Sequence, residues 1–318
     1  MSIRFGYVGL GAMGAHICRN LAKHAASQGL PPISIWNRSP EKYDSIRPCA
    51  PDAFYAAKVE EVVQRSDVIF SSLINDQAAE EVYGKMFSAA KEEQGKEVIF
   101  VDQSSLKALT SEKLAEQAKA AGCVYIASPV FGRPPMAEAA KLLIVLSGPP
   151  AVKERLKPHL VPALGNRLID VGEDVRSASA LKSMGNMMLL GFIELLGEAY
   201  ALGDSVGVDP GVYHNFLEQF IPAPPLLAYS ANISKGLYTA GQGFSIEGGL
   251  KDARNMLCLG QDLGHPCPLP TIERAAANMT RAKEIGGDKQ DWSALAAAVR
   301  EQAGFSPYRE GTNDGQGN

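Results

Sequence analysis

Apolar and polar positions alternate along the first half of the chain in short blocks. Residues 3–8 form an apolar run with aromatic and β-branched members, the pattern of a short buried strand. Positions 12, 15, 16, 17, 21 and 22 then recur at helical spacing, and residues 33–36 form a second short strand. The pattern continues with helix over 41–47, strand near 53–55, helix over 59–65 and strand over 67–72. Helix follows over 78–90, strand over 97–101, helix over 110–121, and strands over 124–127 and 142–146. Such alternation predicts a mostly parallel, doubly wound sheet with right-handed crossovers, with ligands beyond the carboxyl ends of its strands. The loops starting at Gly9, Ser71, Asp102 and Ser128 should therefore face one crevice.

Near Gly172 the pattern changes to helix alone. A first helix is predicted over 179–202, apolar on most sides and so expected to be buried on most sides. At 1.5 Å per residue it is about 35 Å long, enough to pass from one domain into another. Further helices are predicted over 210–220, 226–235, 249–262, 271–284 and 292–303. The expected organisation is an α/β Rossmann domain over 1–174, joined by this long helix to an all-α domain over 175–308. The polar, glycine-rich residues 309–318 are expected to be a disordered tail.

At 318 residues the chain is long enough for two cores, and its 46% hydrophobic and 21% charged content is that of a globular protein. A formal net charge of −4 gives no footprint for nucleic acid. Five cysteines without C-x-x-C spacing fit a reducing compartment, and five scattered histidines show no metal-ligand spacing. The first strand starts at Ile3, with no leader before it, so a cytoplasmic location is expected. Residues 184–202 have the length of a membrane span, but Asn186, Glu194 and Glu198 would be costly in hydrocarbon. They read as a helix of a soluble protein.

The chemistry begins at Gly9-Leu10-Gly11-Ala12-Met13-Gly14, between the first strand and the first helix. Gly9 permits the tight turn, Gly11 lets a pyrophosphate approach the backbone, and Gly14 lets the helix lie close to the sheet. The amides at the helix start face the phosphates. The second strand ends in Asn37-Arg38-Ser39, where an acidic residue would bind the ribose hydroxyls of NAD. A guanidinium there pairs with a 2'-phosphate, so NADP(H) is expected in preference to NAD(H); the alternative is a surface Arg38 in a loop. On the long helix Lys182 and Asn186 stand four residues apart and share a face. An ammonium can donate a proton to a substrate oxygen, and an amide can orient the reactants. The alternative is a lysine that snorkels to solvent.

These stretches, with Asp102-Gln103-Ser104-Ser105, the Lys182/Asn186 pair and Lys251-Asp252, resemble the β-hydroxyacid dehydrogenases. That family includes 3-hydroxyisobutyrate dehydrogenase and is related to 6-phosphogluconate dehydrogenase. The resemblance covers nearly the whole chain. It implies that Lys182 is the general acid/base, that Asn186 holds the substrate, and that Ser105, Lys251, Leu73 and Ile74 lie near the cofactor. It also implies homodimers or homotetramers. For Lys251 the alternative is an exposed charged pair with Asp252. The substrate loop departs from the family's D-A-P-V-S-G-G, reading Ser128-Pro129-Val130-Phe131-Gly132-Arg133. Phe131 replaces the serine whose hydroxyl would help grip a carboxylate, Gly132 is kept, and Arg133 offers a clamp from a new direction or Phe131 a wall for a bulkier substrate. Residues 172–179 also resemble imine reductases, where the lysine position holds other residues; an ammonium beside an iminium would be repelled. A non-catalytic NADP-binding module is a third alternative, motivated by the lost serine and opposed by the retained Lys182 and Asn186.

Overall fold

The computed structural model describes residues 2–93, 96–238 and 243–309. The chain divides into two compact units, Met1–Lys182 and Ser183–Asn318.

The first unit is built on a six-stranded, wholly parallel sheet. In chain order its strands are β1 (Phe5–Val8), β2 (Ser34–Trp36), β3 (Phe54–Tyr55), β4 (Val68–Ser71), β5 (Ile99–Asp102) and β6 (Val124–Ala127). Their spatial order is β3-β2-β1-β4-β5-β6, so the sequence reverses direction next to β1. That reversal is the switch point at which such sheets open a ligand crevice. Helix α1 (Gly14–Ser27) buries Ile17, Cys18, Leu21, Ala22 and Ala25 on one face of the sheet, against Phe5 and Tyr7. Helices α2 (Val59–Arg65), α3 (Asp76–Glu92) and α4 (Ala108–Ala120) cover the other face, where Val62, Tyr83, Met86 and Leu114 form one cluster with Val8, Ile69 and Phe100. The helix expected over 41–47 forms as a 3-10 helix over Pro40–Ser45.

The strand expected at 142–146 forms as β8 (Leu142–Leu146), but outside the main sheet. It is the centre of a second sheet, antiparallel to β7 (Val130–Phe131) and parallel to β9 (Gly165–Asp170). The short helix α5 (Pro134–Glu138) separates β7 from β8, and α6 (Pro150–Leu160) separates β8 from β9. The chain cannot continue the parallel order here. Pro129 and the positive φ of Gly132 (147°) turn it back on itself directly after β6.

Helix α7 runs over Val175–Val206, longer than predicted at both ends. Lys182 ends the first unit within this helix. In the second unit, α7 packs with α8 (Pro210–Phe220), α9 (Pro224–Lys235), α10 (Ile246–Asp262), α11 (Pro270–Gly286) and α12 (Leu295–Gln302). Leu190, Ile193, Tyr200, Met256, Ile272, Met279 and Trp292 form the core. One side of α7 is left uncovered: Met184, Met188, Leu195, Leu202 and Val206 are each more than half exposed and trace that side of the helix. Arg309, expected in the tail, pairs at 2.8 Å with Asp204, which also accepts from Arg300 at 2.8 Å. Residues 310–318 lie outside the described residues. Among the described residues no helix is long and apolar enough to cross a membrane.

Candidate active site

The turn after β1 is shaped by backbone contacts that admit no side chain. Gly9 has φ 97°, and a Cβ there would lie 2.3 Å from the Ser72 carbonyl oxygen. A Cβ on Gly14 would lie 2.1 Å from the Gly9 carbonyl oxygen, so α1 starts directly against the turn. Gly11 is different: a Cβ there meets no heavy atom within 4 Å. The protein's own packing therefore does not require glycine at 11, whereas a closely approaching ligand would. No side chain caps the start of α1, although the Ala15 amide donates to the Gly11 carbonyl and the His16 amide to the Met13 carbonyl. Open space at Gly11, forced glycines at 9 and 14 and an uncapped helix start together fit a dinucleotide pyrophosphate.

Asn37 has its side chain committed to this loop. Its Oδ1 accepts from the Leu10 amide at 2.7 Å, and its Nδ2 donates to the Ser39 carbonyl at 2.9 Å. It clasps the glycine loop to the end of β2. Arg38 is exposed just beyond. Glu81 on α3 is held below the usual carboxylate range chiefly by its bond to Lys85, with a smaller contribution from Arg38.

The strands and loops beyond it are tied to one another by the buried carboxylate that opens the Asp102-Gln103-Ser104-Ser105 motif. Asp102 closes β5 at 2% exposure. It accepts from the Ser104 amide at 2.9 Å, the Ser71 hydroxyl at 3.1 Å and the Tyr125 hydroxyl at 2.9 Å. Ser71 in turn shares a 2.7 Å bond with Tyr83. Burial raises the pKa of Asp102, Tyr83 and Tyr125 alike, so the cluster resists ionisation. The Leu73 amide donates to the Ser104 hydroxyl at 2.8 Å, and the Ser128 amide donates to the Asp102 carbonyl at 2.7 Å. With the Gly9–Ser72 contact, the loops after β1, β4, β5 and β6 are linked side by side, as the alternation implied. Ile74, on the loop after β4, is 76% exposed, and Ser105, next to Ser104 in the chain, is half-buried.

The expected substrate loop is held rigidly. Val130 and Phe131 pair with Ile144 and Leu143 of β8, and a Cβ on Gly132 would lie 2.6 Å from Leu142. Arg133 precedes α5 and is half-buried. Ser128 is wholly buried, and its hydroxyl finds no hydrogen-bond partner. Lys182 belongs to this loop's surroundings. Its Nζ donates to the Val130 carbonyl at 2.9 Å and lies 4.3 Å from the centroid of the Phe131 ring.

In the second unit, Asn186 and Asp252 are 7% and 5% exposed. Asn186 donates through Nδ2 to Asp252 Oδ2 at 2.6 Å, and Lys251 Nζ lies 3.2 Å from Asp252 Oδ1. The Lys251–Asp252 pair exists, but its side chains are only 20% and 6% exposed, so it is no solvent-facing pair. Asp252 holds both Asn186 and Lys251. The adjacent Lys-Asp in the sequence was the available sign of it. Among the described residues no cluster of His, Cys, Asp or Glu is arranged to hold a metal ion.

A parallel sheet whose switch point carries a glycine turn and an uncapped helix marks the first unit as a dinucleotide-binding Rossmann domain. It belongs to the family of the NAD binding domain of 6-phosphogluconate dehydrogenase, whose model matches residues 4–172. It is similar to the chloroplastic glyoxylate/succinic semialdehyde reductase 2 of Arabidopsis thaliana, at 27% identity over 94% of this chain and 80% of that one. It is also similar to the NADH-dependent oxidoreductase ucdB of Aspergillus ustus, at 25% identity over 92% and 98% of the two chains. The solved Mycobacterium tuberculosis 3-hydroxyisobutyrate dehydrogenase with L-serine shares the fold, with a TM-score of 0.76 over 94% of this chain and 100% of that one at 21% identity. The chain is thus an NAD(P)-binding oxidoreductase of the β-hydroxyacid dehydrogenase type.

Proposed function

We propose that this protein is an NADP(H)-dependent reductase and dehydrogenase of small carbonyl compounds and their alcohols, with Lys182 as the general acid/base. The observation that carries the proposal is the Lys182 amine, held at 2.9 Å on the Val130 carbonyl of the substrate loop. Bound nicotinamide supplies or accepts the hydride at the carbonyl carbon. In the reducing direction Lys182 gives a proton to the oxygen as the alcohol forms, and regains one from solvent; the reverse holds for oxidation. Asn186, one helical turn further along α7, orients the reactants, and its amide is itself oriented by Asp252. Ser105 and Lys251 serve the cofactor. The relative named a glyoxylate/succinic semialdehyde reductase supports carbonyl chemistry for this chain.

The preference for NADP(H) rests on the absence of a carboxylate at Asn37-Arg38-Ser39. With the Asn37 side chain committed to Leu10, recognition of a 2'-phosphate falls to Arg38 and Ser39. The exposed stripe Met184, Met188, Leu195, Leu202 and Val206 supports a homodimer or homotetramer formed through the helical unit. Five free thiols support a reducing compartment such as the cytoplasm.

The test is a panel of semialdehydes, 3-hydroxy acids and cyclic imines, each assayed with NADPH and NADH. The proposal expects turnover of carbonyl or hydroxy compounds and tighter binding of NADPH. Turnover confined to imines would favour imine reduction. Cofactor binding without turnover of any compound would favour a non-catalytic module. Equal affinity for the two cofactors would refute the phosphate-binding role of Arg38.

A further inference from the structure

We infer that the second unit carries a binding site of its own, between α7 and the start of α11, for an apolar amine whose ammonium meets Glu194. A cavity of about 720 Å³ opens there, within the size range of small-molecule sites. Met187, Met188, Phe192, Leu195, Leu269 and Ile272 wall it with apolar, polarisable surface. Met188, Phe192 and Leu195 are exposed and form its mouth, whereas Glu194 is 2% exposed and forms its floor. At about 100° per residue, positions 188, 191, 195 and 198 lie roughly 120° or more round α7 from Asn186. The cavity is thus on the far side of the helix from the residue assigned to the reactants.

Two features mark the cavity as built for a ligand. The first is Glu194. Gln302 Nε2 donates to Asn278 Oδ1 at 2.7 Å, and Asn278 Nδ2 donates to Glu194 Oε1 at 2.6 Å, so the carboxyl group is held in one orientation. Its Oε2 is buried and finds no hydrogen-bond partner among the described residues. A buried acceptor left unanswered is costly, and a donor entering the cavity removes that cost. The second is Gly191, since glycine weakens a helix interior and needs a reason. At Gly197 packing supplies one: a Cβ there would lie 3.2 Å from Ala296 Cα. At Gly191 a Cβ would meet only Thr271, at 3.8 Å, and Thr271 also lines the cavity. The missing side chain leaves room there and relieves no clash. Charge then selects the class of ligand. Glu194 and Glu198 line the cavity against the one guanidinium of Arg274, so a cation is favoured over an anion. Apolar walls ask for an apolar body, and the face of Phe192 adds attraction for an ammonium.

The experiment titrates the full chain by calorimetry at pH 8 with 2-phenylethylamine, 2-phenylethanol and 3-phenylpropionate. It compares the wild type with Glu194→Gln and Gly191→Leu, and follows the oligomeric state of each by light scattering. In the wild type the amine should bind saturably and at least tenfold more tightly than the alcohol or the acid. Glu194→Gln should lose that selectivity. Gly191→Leu fills the cavity and should weaken amine binding at least tenfold, with a melting temperature no lower than that of the wild type. Binding a cation takes the proton from Glu194, which burial pushes up to about 7, with Glu198 adding to the rise and Arg274 opposing it. Wild-type affinity for the amine should therefore fall about tenfold from pH 8 to pH 6, and that of Glu194→Gln should stay level. An amine bound no more tightly than the alcohol, or bound equally well by Gly191→Leu, overturns the inference. A wild type that binds no amine overturns it too, and dissociation of the oligomer in Gly191→Leu would then show that a second copy of the chain fills the cavity.

Discussion

Replacing Asp102 separates a carboxylate that ties β4, the loop after β5 and β6 together from one that merely fills space. Its two oxygens receive the Ser71 hydroxyl, the Ser104 amide and the Tyr125 hydroxyl at 2.9 to 3.1 Å, at 2% exposure. Asp102→Ala removes all three acceptances. Ser71 keeps its bond to Tyr83 at 2.7 Å, so the Ser104 amide and the Tyr125 hydroxyl carry most of the loss. Each buried donor left unsatisfied costs about 1–3 kcal/mol, and the cavity adds to it. The expected total is about 3–5 kcal/mol, a large share of the ~5–15 kcal/mol that holds a domain folded. Asp102→Asn should be mild, at about 1 kcal/mol. Its oxygen still accepts from Ser71 and Ser104, and only the Tyr125 hydroxyl must turn to accept. The raised pKa of buried Asp102 also makes a neutral amide a fair mimic. Amide hydrogen exchange over β4, β5 and β6 reads the difference locally. At ~1.4 kcal/mol per factor of ten, Asp102→Ala should speed exchange there by about two to three and a half orders of magnitude, and Asp102→Asn by less than about tenfold. Exchange in Asp102→Ala within tenfold of wild type, or the two variants behaving alike, would refute the reasoning.

Two further predictions concern the glycine turn and the helical unit. Gly11→Ala should leave the melting temperature within about 1 °C of wild type, because its Cβ meets nothing within 4 Å, yet weaken NADPH binding at least tenfold, about 1.4 kcal/mol. Gly14→Ala should instead lower the melting temperature, since its Cβ would lie 2.1 Å from the Gly9 carbonyl; calorimetry and fluorescence titration on both variants check the contrast. In the second unit Glu194 is 2% exposed, accepts from Asn278 at 2.6 Å and is pushed up to about 7, chiefly by burial. An acid raised on folding binds its proton more tightly in the folded state, so its contribution is full below the unfolded value and is lost as pH rises toward 7. Glu194→Gln should therefore gain about 3 kcal/mol relative to wild type between pH ~4.5 and pH ~8, measured by urea unfolding at both; parallel pH profiles would contradict it.

How much of this was legible beforehand follows from where each constraint acts. The central strands were readable because burial on both faces makes them continuous apolar runs, and α8, α9 and α11 because proline opens each one. β9 was not, since Asn166, Arg167 and Asp170 are exposed on it and pairing to β8, not side-chain burial, keeps it extended. α6 was hidden by Pro158 inside it. In the site, the glycine turn announces itself by its place between strand and helix, whereas the spacing of Lys182 and Asn186 left a solvent-reaching lysine equally open. The work of Asp102 depends on Ser71 and Tyr125, which the fold alone brings to it. Asn37 stands at the expected sequence position for ribose recognition, but its side chain is spent on Leu10. Asp252 sat in plain view beside Lys251, yet only the bond to Asn186 reveals what it holds.

The most direct test of the account is single-turnover reduction by Lys182→Ala, with NADPH affinity titrated on the same preparation. General acid catalysis contributes about 10²–10⁴-fold, so the hydride-transfer rate should fall by at least a hundredfold while the NADPH dissociation constant stays within about threefold. A variant that transfers hydride at the wild-type rate would contradict the role assigned to Lys182.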